Sequence, residues 1–424
     1  DANGRSLMNE TSPALSVVGA DLPRTDSVPK TTGAAVYTVD VSFPGMLHAK
    51  VLRSPHAHAR VVSVDASAAR GMPGIHAVLT RDELDGLSPV YGYFIKDQPI
   101  IGMDKVRYVG DPVAAVAAET EHQAIAALEK IKVEYDLLPV LANIEDAMVK
   151  GAAELFEEEP LGIIPAYGQG ASGHRRIGPN NCYRFSYETG NASSAFNKCD
   201  HVFEDRFVFS RDQHFHLEPF VSVARYEGDV IEVWSSCQNP FPLRKELARV
   251  FRHPENRIRV KVPYIGAGYG AKNNCKAEPL AILLAKLSGR PVRFCMTMEE
   301  NFLTQCQHAA VLEIKSGVMD DGTFVARSGH ILLNAGAYSD ASPLVAEKAG
   351  YRLPGPYRWQ HLDIDCDCIL TNTTPAGPYR GFGGTQACWA SESQVDIIAR
   401  ALERDPMDLR IQNLKSLGEA YVPG

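Results

Sequence analysis

The sequence lacks any run of lysine and arginine, and its formal net charge is −8 over 424 residues. A basic stripe for nucleic acid is therefore excluded. It has no apolar stretch approaching the roughly 20 residues needed to span a bilayer. No signal-peptide pattern, internal repeat or low-complexity segment is visible. Nine cysteines are present, yet none forms a Cys-x-x-Cys pair, and Cys366-x-Cys368 is too sparse for iron–sulfur ligation. The expectation is a cytoplasmic protein with reduced thiols. The remaining composition, 45% hydrophobic and 22% charged, is that of an ordinary globular chain. Its length is too great for one core, so two or three domains are expected.

Residues 1–26 are polar and without pattern, and read as a surface arm. Residues 27–142 read as one α/β unit. Strands are expected at 61–64 and 112–119, the second apolar throughout and hence buried. Thr120 caps a helix at 121–130, and an alternating strand follows at 132–135. Residues 143–180, rich in Gly, Pro and Glu, read as a connector. From 181 to 424 strands dominate, at 202–210, 221–226, 230–235, 258–264, 292–296, 311–318 and 324–333. Helices interrupt them at 243–251, 278–287, 385–402 and 406–414, the last started by Asp405 before Pro406. The fold class is α+β.

Two glycine-punctuated loops carry most information. The first is Gly266-Ala267-Gly268-Tyr269-Gly270-Ala271-Lys272, and the second is Tyr379-Arg380-Gly381-Phe382-Gly383-Gly384-Thr385-Gln386. Glycine lets backbone pass close to a ligand, and an aromatic between glycines is turned outward. Together they suggest one flat or anionic ligand gripped from two sides. Alone, Gly266-x-Gly268-x-x-Ala271 after a strand also fits a nicotinamide-dinucleotide turn, although Glu299 and Glu300 lie too far on to bind the ribose and the surrounding sheet reads as antiparallel. The segment His214-Phe215-His216-Leu217-Glu218 offers a zinc reading, against which stands a buried polar pivot. Gln238, at the end of an apolar strand, is either a strand cap or a neutral donor.

With Gln238 and both loops in place, the chain resembles the molybdopterin-binding subunit of the xanthine dehydrogenase/aldehyde oxidoreductase family, the molybdenum hydroxylases. The segments 24–33, 54–60 (Ser-Pro-His-Ala-His-Ala-Arg) and 106–114 (Val-Arg-Tyr-Val-Gly-Asp-Pro-Val-Ala) resemble its α/β-hammerhead domain. His216-Leu217-Glu218-Pro219, Asn334-Ala335-Gly336-Ala337-Tyr338 and the second loop resemble the first molybdopterin-binding domain, here 181–424. The resemblance implies molybdenum held by a pterin dithiolene, with no protein metal ligands, and leaves open a cytosine-dinucleotide form of the pterin. Gln238 matches the glutamine that hydrogen-bonds the molybdenum oxo group. Tyr269 and Phe382 match the aromatics at the substrate ring, and Arg380 with Gly381 matches the pterin contact. The amides around Gly268 and Gly270 would approach the cofactor, since anionic groups want clustered N–H donors.

The implied activity is hydroxylation of an N-heteroaromatic or an aldehyde with oxygen from water. Electrons would pass to a [2Fe-2S] subunit and an FAD subunit. Asn273 stands where purine-oxidising relatives carry a glutamate, and Lys348 where they carry an arginine. The pair that grips xanthine is thus absent, and Lys348 is either a point charge for a substrate carboxylate or carbonyl or a solvated surface lysine. The family's region continues into a second molybdenum-binding half that carries the general-base glutamate. That half is expected either as a separate subunit, as in the nicotinate dehydrogenase branch, or as a further part of the same polypeptide. The alternatives are a nicotinamide-dependent dehydrogenase using Gly266 to Ala271, and a non-catalytic scaffold that kept the fold.

Overall fold

The structure, a computed structural model, describes residues 17–158, 161–162, 171–174 and 178–419. Most of the expected N-terminal arm and much of the glycine-rich connector lie outside these residues. The chain forms two compact units, 1–36 and 37–424. In the first, the short helix Ser27–Thr32 ends at Gly33, whose φ of 76° is open to glycine without strain.

The second unit holds two large sheets. A seven-stranded sheet runs in the order Ile258–Lys261, Val230–Ser235, Val221–Glu227, Val292–Cys295, Leu47–Arg53, Pro112–Ala118, Ile75–Leu79. Strands from 47–118 and from 221–295 therefore share one sheet, joined where Leu47 to Ala49 pair in parallel with Val292 to Phe294. The sheet is mixed rather than antiparallel, because Val230–Ser235 and Ile258–Lys261 also run parallel. Pro112–Ala118 is buried from Val113 onward, as its apolar run demands, and helices Glu121–Leu128 and Glu278–Ser288 both pack against it. Glu278–Ser288 is apolar on nearly every side (Pro279, Leu280, Ala281, Ile282, Leu283, Leu284, Ala285), so it lies inside the core. The expected caps hold: Thr120 accepts from the Gln123 N–H at 3.2 Å, and Asp405 Oδ1 accepts from Met407 N–H at 2.7 Å.

The six-stranded sheet is built from Ala171–His174, Asn181–Thr189, His361–Leu370, Phe324–Gly336, Ala310–Val318 and His201–Phe209, in that order. Helices Ser342–Arg352 and Gly384–Ala401 cover one face. The second helix is fixed to the sheet by Arg327. This fully buried guanidinium donates to Ser316 Oγ (3.0 Å), Ser391 Oγ (2.6 Å), Gln394 Oε1 (3.2 Å) and the Leu353 carbonyl (3.0 Å), and lies 4.3 Å over the Trp359 ring. Burial lowers its pKa to about 9. The middle of this helix is thereby held against the sheet, and its first turn is tied by Gln386 Nε2, which donates to the His308 carbonyl at 3.1 Å.

Candidate functional site

Gln238 follows the buried strand Val230–Ser235 and is solvent-exposed. Its backbone N–H donates to the Lys272 carbonyl at 2.7 Å. Its side-chain Oε1 accepts the Gly270 N–H at 3.1 Å. A backbone N–H can only donate, so the oxygen of the amide must face Gly270, and Nε2 is the atom turned away from the loop. Gly268 is required at this contact, because a Cβ there would stand 2.5 Å from Gln238 Oε1.

The first loop is wound in the left-handed region, with Ala267 at φ 75°, Tyr269 at 51° and Gly270 at 107°. Such conformations in non-glycine residues are costly and collect at ligand sites. Tyr269 remains 45% exposed, so the strained backbone presents its ring outward rather than to the core. The second loop repeats the backbone but not the outward ring expected from its sequence: Phe382 sits at φ 53° between Gly381 (96°) and Gly383 (81°). Its ring is half-buried against the core under the six-stranded sheet, whereas Arg380 is exposed.

The two loops meet at Gly270, where a Cβ would stand 2.6 Å from the Pro378 carbonyl. That carbonyl also accepts the His214 Nε2–H at 2.7 Å, and the His214 and Tyr379 rings are 4.8 Å apart. His216 Nδ1 is bonded to the Glu218 carbonyl at 2.6 Å. Burial lowers both imidazoles to about 4, so they act as neutral struts. Their ring contacts are to backbone carbonyls, which is the polar-pivot reading rather than the zinc one. Among the described residues no group of three or more His, Cys, Asp or Glu could hold a metal ion.

Asn273 accepts from Asn239 Nδ2 at 3.1 Å. Asn273 also lines a cleft of about 720 Å³ with Tyr91, Tyr93, Phe94 and Leu243. Lys348 lies on Ser342–Arg352, with Nζ 3.3 Å from Glu347 Oε1 and its side chain 40% exposed. The same helix packs on the second loop: a Cβ on Gly383 would stand 2.5 Å from the Val345 carbonyl. Arg352 Nη1 donates to the Gly381 carbonyl at 3.2 Å. Gln238, Gly268, Tyr269, Gly270 and Asn273 are thus joined directly. Arg380, Gly381 and Phe382 adjoin them through Pro378, and Lys348 is linked only through its helix.

The dinucleotide alternative loses its support here. After Gly270 the chain makes a 3₁₀ turn, Ala271–Asn273, and the next α-helix begins only at Glu278, so no helix N-terminus follows the glycines to meet a pyrophosphate.

Sequence reasoning missed the buried ion pairs beneath the loop: Glu218 and Lys272 stood in the quoted motifs but not as a pair, and Lys276 and Asp340 were not singled out. Lys272 Nζ donates to Glu218 Oε2 at 2.8 Å, and Lys276 Nζ to Asp340 Oδ2 at 2.7 Å. Burial pulls the Lys272 ammonium below its usual pKa, against the pull of Glu218. Lys272 at the end of the glycine loop and Glu218 in the bend before the strand Val221–Glu227 were the only local signals.

The molybdopterin cofactor-binding domain matches residues 174–414. The chain belongs to the molybdopterin-binding subunits of the xanthine dehydrogenase family. The hammerhead domain of aldehyde oxidase and xanthine dehydrogenase matches residues 32–139. The nicotinate dehydrogenase large molybdopterin subunit of Eubacterium barkeri is 33% identical over 411 residues, covering 96% of this chain and 92% of that subunit. A probable xanthine dehydrogenase subunit of Bacillus subtilis is 36% identical over 394 residues, covering 92% of this chain and 50% of the relative. Quinoline 2-oxidoreductase from Pseudomonas putida 86 superposes with a TM-score of 0.83 at 29% identity, covering 93% of this chain and 50% of the other. The chain therefore spans about half the length of the latter two family members and nearly all of the Eubacterium barkeri subunit.

Proposed function

We propose that this chain is the first half of the molybdenum-containing catalytic subunit of a hydroxylase, with 27–142 as its hammerhead region and 181–424 as its first molybdopterin-binding region. The reaction is oxidation of an N-heteroaromatic or an aldehyde with oxygen from water, in the cytoplasm. A complementary half supplies the rest of the site, and [2Fe-2S] and FAD subunits receive the electrons. The nicotinate dehydrogenase relative supports a pyridine carboxylate as substrate, and a cytosine-dinucleotide form of the pterin is compatible with this reading.

The residues fit such a cofactor. Gly268 and Gly270 let Gln238 and the Pro378 carbonyl pack directly on the first loop, which draws the two glycine loops together, and Gln238 offers an uncharged N–H. When bound, molybdopterin would supply the two-electron redox chemistry. The chain's own part is recognition and placement. Gln238 Nε2 donates to an acceptor on the bound group or substrate. Tyr269 and Phe382 flank an aromatic substrate, and Arg380 with Gly381 contacts the pterin. Asn273 and Lys348 meet a carboxylate or carbonyl, with Lys348 as a point charge. The observation that carries this reading is the Gly270 N–H on Gln238 Oε1, which commits the glutamine to act as a donor.

The test is elemental mass spectrometry on the natively purified assembly. About one molybdenum per copy of the chain, with iron co-purifying, is expected. An intact assembly without molybdenum overturns the reading.

A further inference from the structure

Glu218 holds both ends of the first loop at once. Its Oε2 accepts the Gly266 N–H at 2.8 Å and the Lys272 ammonium at 2.8 Å, and its own carbonyl accepts the same ammonium at 2.9 Å. Both side chains are nearly excluded from solvent, Lys272 to 1% and Glu218 to 6%. Gly266 sits so close that a Cβ would stand 2.6 Å from Glu218 Cβ. Lys272 in turn offers its backbone carbonyl to the Gln238 N–H, and the loop between offers the Gly270 N–H to Gln238 Oε1. Three residues, distant in sequence, therefore form one closed circuit: Glu218 grips the loop, and the loop grips Gln238 by backbone and side chain.

We propose that Glu218 and Lys272 are positioning residues: their buried pair clamps the 266–272 loop so that Gly270 fixes the amide of Gln238 with Nε2 turned to the reaction centre. The role of Gln238 rests on the hydroxylase reading, but the clamp does not. An exposed glutamine otherwise samples several rotamers and either amide face. A donor aimed in advance at developing charge is worth far more than one that must find its geometry. The clamp supplies that aim with a charge-assisted contact, which is short and directional. It also holds Ala267, Tyr269 and Gly270 in the left-handed region, which would relax if either end were released.

The test uses the assembled complex and three variants. Glu218→Asp keeps the charge opposite Lys272 but withdraws the carboxylate by one methylene. Glu218→Gln/Lys272→Met removes both charges, retains an acceptor for Gly266 and releases the Lys272 end. Gln238→Ala provides the background for non-additivity. The readouts are hydrogen exchange of the peptide covering 262–275, steady-state kinetics on a pyridine carboxylate, molybdenum content and thermal unfolding.

In Glu218→Asp the loop peptide should exchange about tenfold faster while peptides elsewhere are unchanged. In the double variant the unfolding temperature and molybdenum content should stay near wild type and KM within about twofold, while kcat falls about tenfold or more. In the Gln238→Ala background the same changes should cost almost nothing further. Unchanged exchange in Glu218→Asp overturns the clamp, as does full kcat in the double variant, or a loss that adds to that of Gln238→Ala. Exchange is read on any folded chain, so a variant that fails to turn over still tests the clamp. A wild-type complex without molybdenum would sink the hydroxylase reading while leaving the exchange result to judge the clamp.

Discussion

Lys276 Nζ lies 2.7 Å from Asp340 Oδ2, with the two side chains exposed by only 2% and 1%. Asp340 also accepts from Gln305 Nε2 at 3.0 Å and from Asn274 Nδ2, and Lys276 reaches Gln98 Oε1 at 3.4 Å. One ion pair thus gathers the segments at 98, 274–276, 305 and 340 beneath the candidate site. Removing one partner strands a buried charge. Lys276→Met should cost about 3–5 kcal/mol in urea unfolding. Adding Asp340→Asn should recover most of that loss, since asparagine tolerates the φ of 41° at this position. A double variant no better than the single one would show that the pair's charge is not what matters.

Gln238 is committed as a donor by Gly270, and two variants probe this from opposite sides. Gln238→Glu keeps an acceptor for the Gly270 N–H but replaces the free N–H by a carboxylate oxygen, and kcat should fall by about 10² or more. Gly268→Ala leaves Gln238 in the sequence but drives a methyl group into its Oε1, at 2.5 Å. It should lose a similar factor with near-normal folding. Both are checked by kcat alongside thermal unfolding. Full activity in Gln238→Glu would mean that the free amide nitrogen is not used.

Much of this site was legible because its signals are local. The glycine–aromatic–glycine triplets announce left-handed backbone, and Thr120, Asp405 and the 112–118 apolar run announce their elements directly. What escaped was decided at long range. The strand His361–Leu370 carries Asp363, Asp365 and Asp367, which argue against a strand until Arg184, His330 and Asn181 arrive to satisfy the buried Asp367. The helix Ser342–Arg352 contains Pro343 and Gly350, and its shape is fixed by packing on Phe185 and the second loop. The Glu218–Lys272 pair joins residues 54 apart, which no periodicity reveals. The parallel pairing of Leu47 with Val292 escaped for the same reason and turned an expected antiparallel sheet into a mixed one.

Acid stability should reflect two opposed sets of buried groups. Burial lowers His214 and His216 to about 4 and His308 to about 3, from 6.5. Between those values the unfolded chain binds protons that the native one does not, so these groups lose stability as pH falls below about 6.5. Burial raises Asp97 and Asp111 from 3.8 to about 6. Between those values the native chain binds the extra proton, so these groups favour folding as pH falls and oppose it as pH rises through 6. Asp97→Asn mimics the protonated form and keeps an acceptor for the Ser339 N–H at 2.7 Å. It should be more stable than wild type at pH 7.5, by at most about 3 kcal/mol, and equal to it near pH 4. Thermal unfolding across that range checks this, and a constant offset at every pH would sink it.

Lys348 and Glu347 make opposite predictions for an anionic substrate. The ammonium is 40% exposed, but Glu347 Oε1 at 3.3 Å already takes part of its field. In the proposed site, Lys348→Met removes the attraction and should raise KM for a pyridine carboxylate about fivefold, the factor of about 1 kcal/mol expected at most of one half-exposed charge pair. For a neutral aldehyde of similar size KM should stay within about twofold, because no charge is lost on that substrate. Glu347→Gln frees the ammonium from this neighbour and should lower KM for the carboxylate while leaving the aldehyde unchanged. The charge-dependent shift separates recognition from general damage, since a distorted helix would harm both substrates alike. Equal effects on the two substrates in Lys348→Met would remove Lys348 from the substrate site and leave Asn273 as the residue to examine for carboxylate recognition.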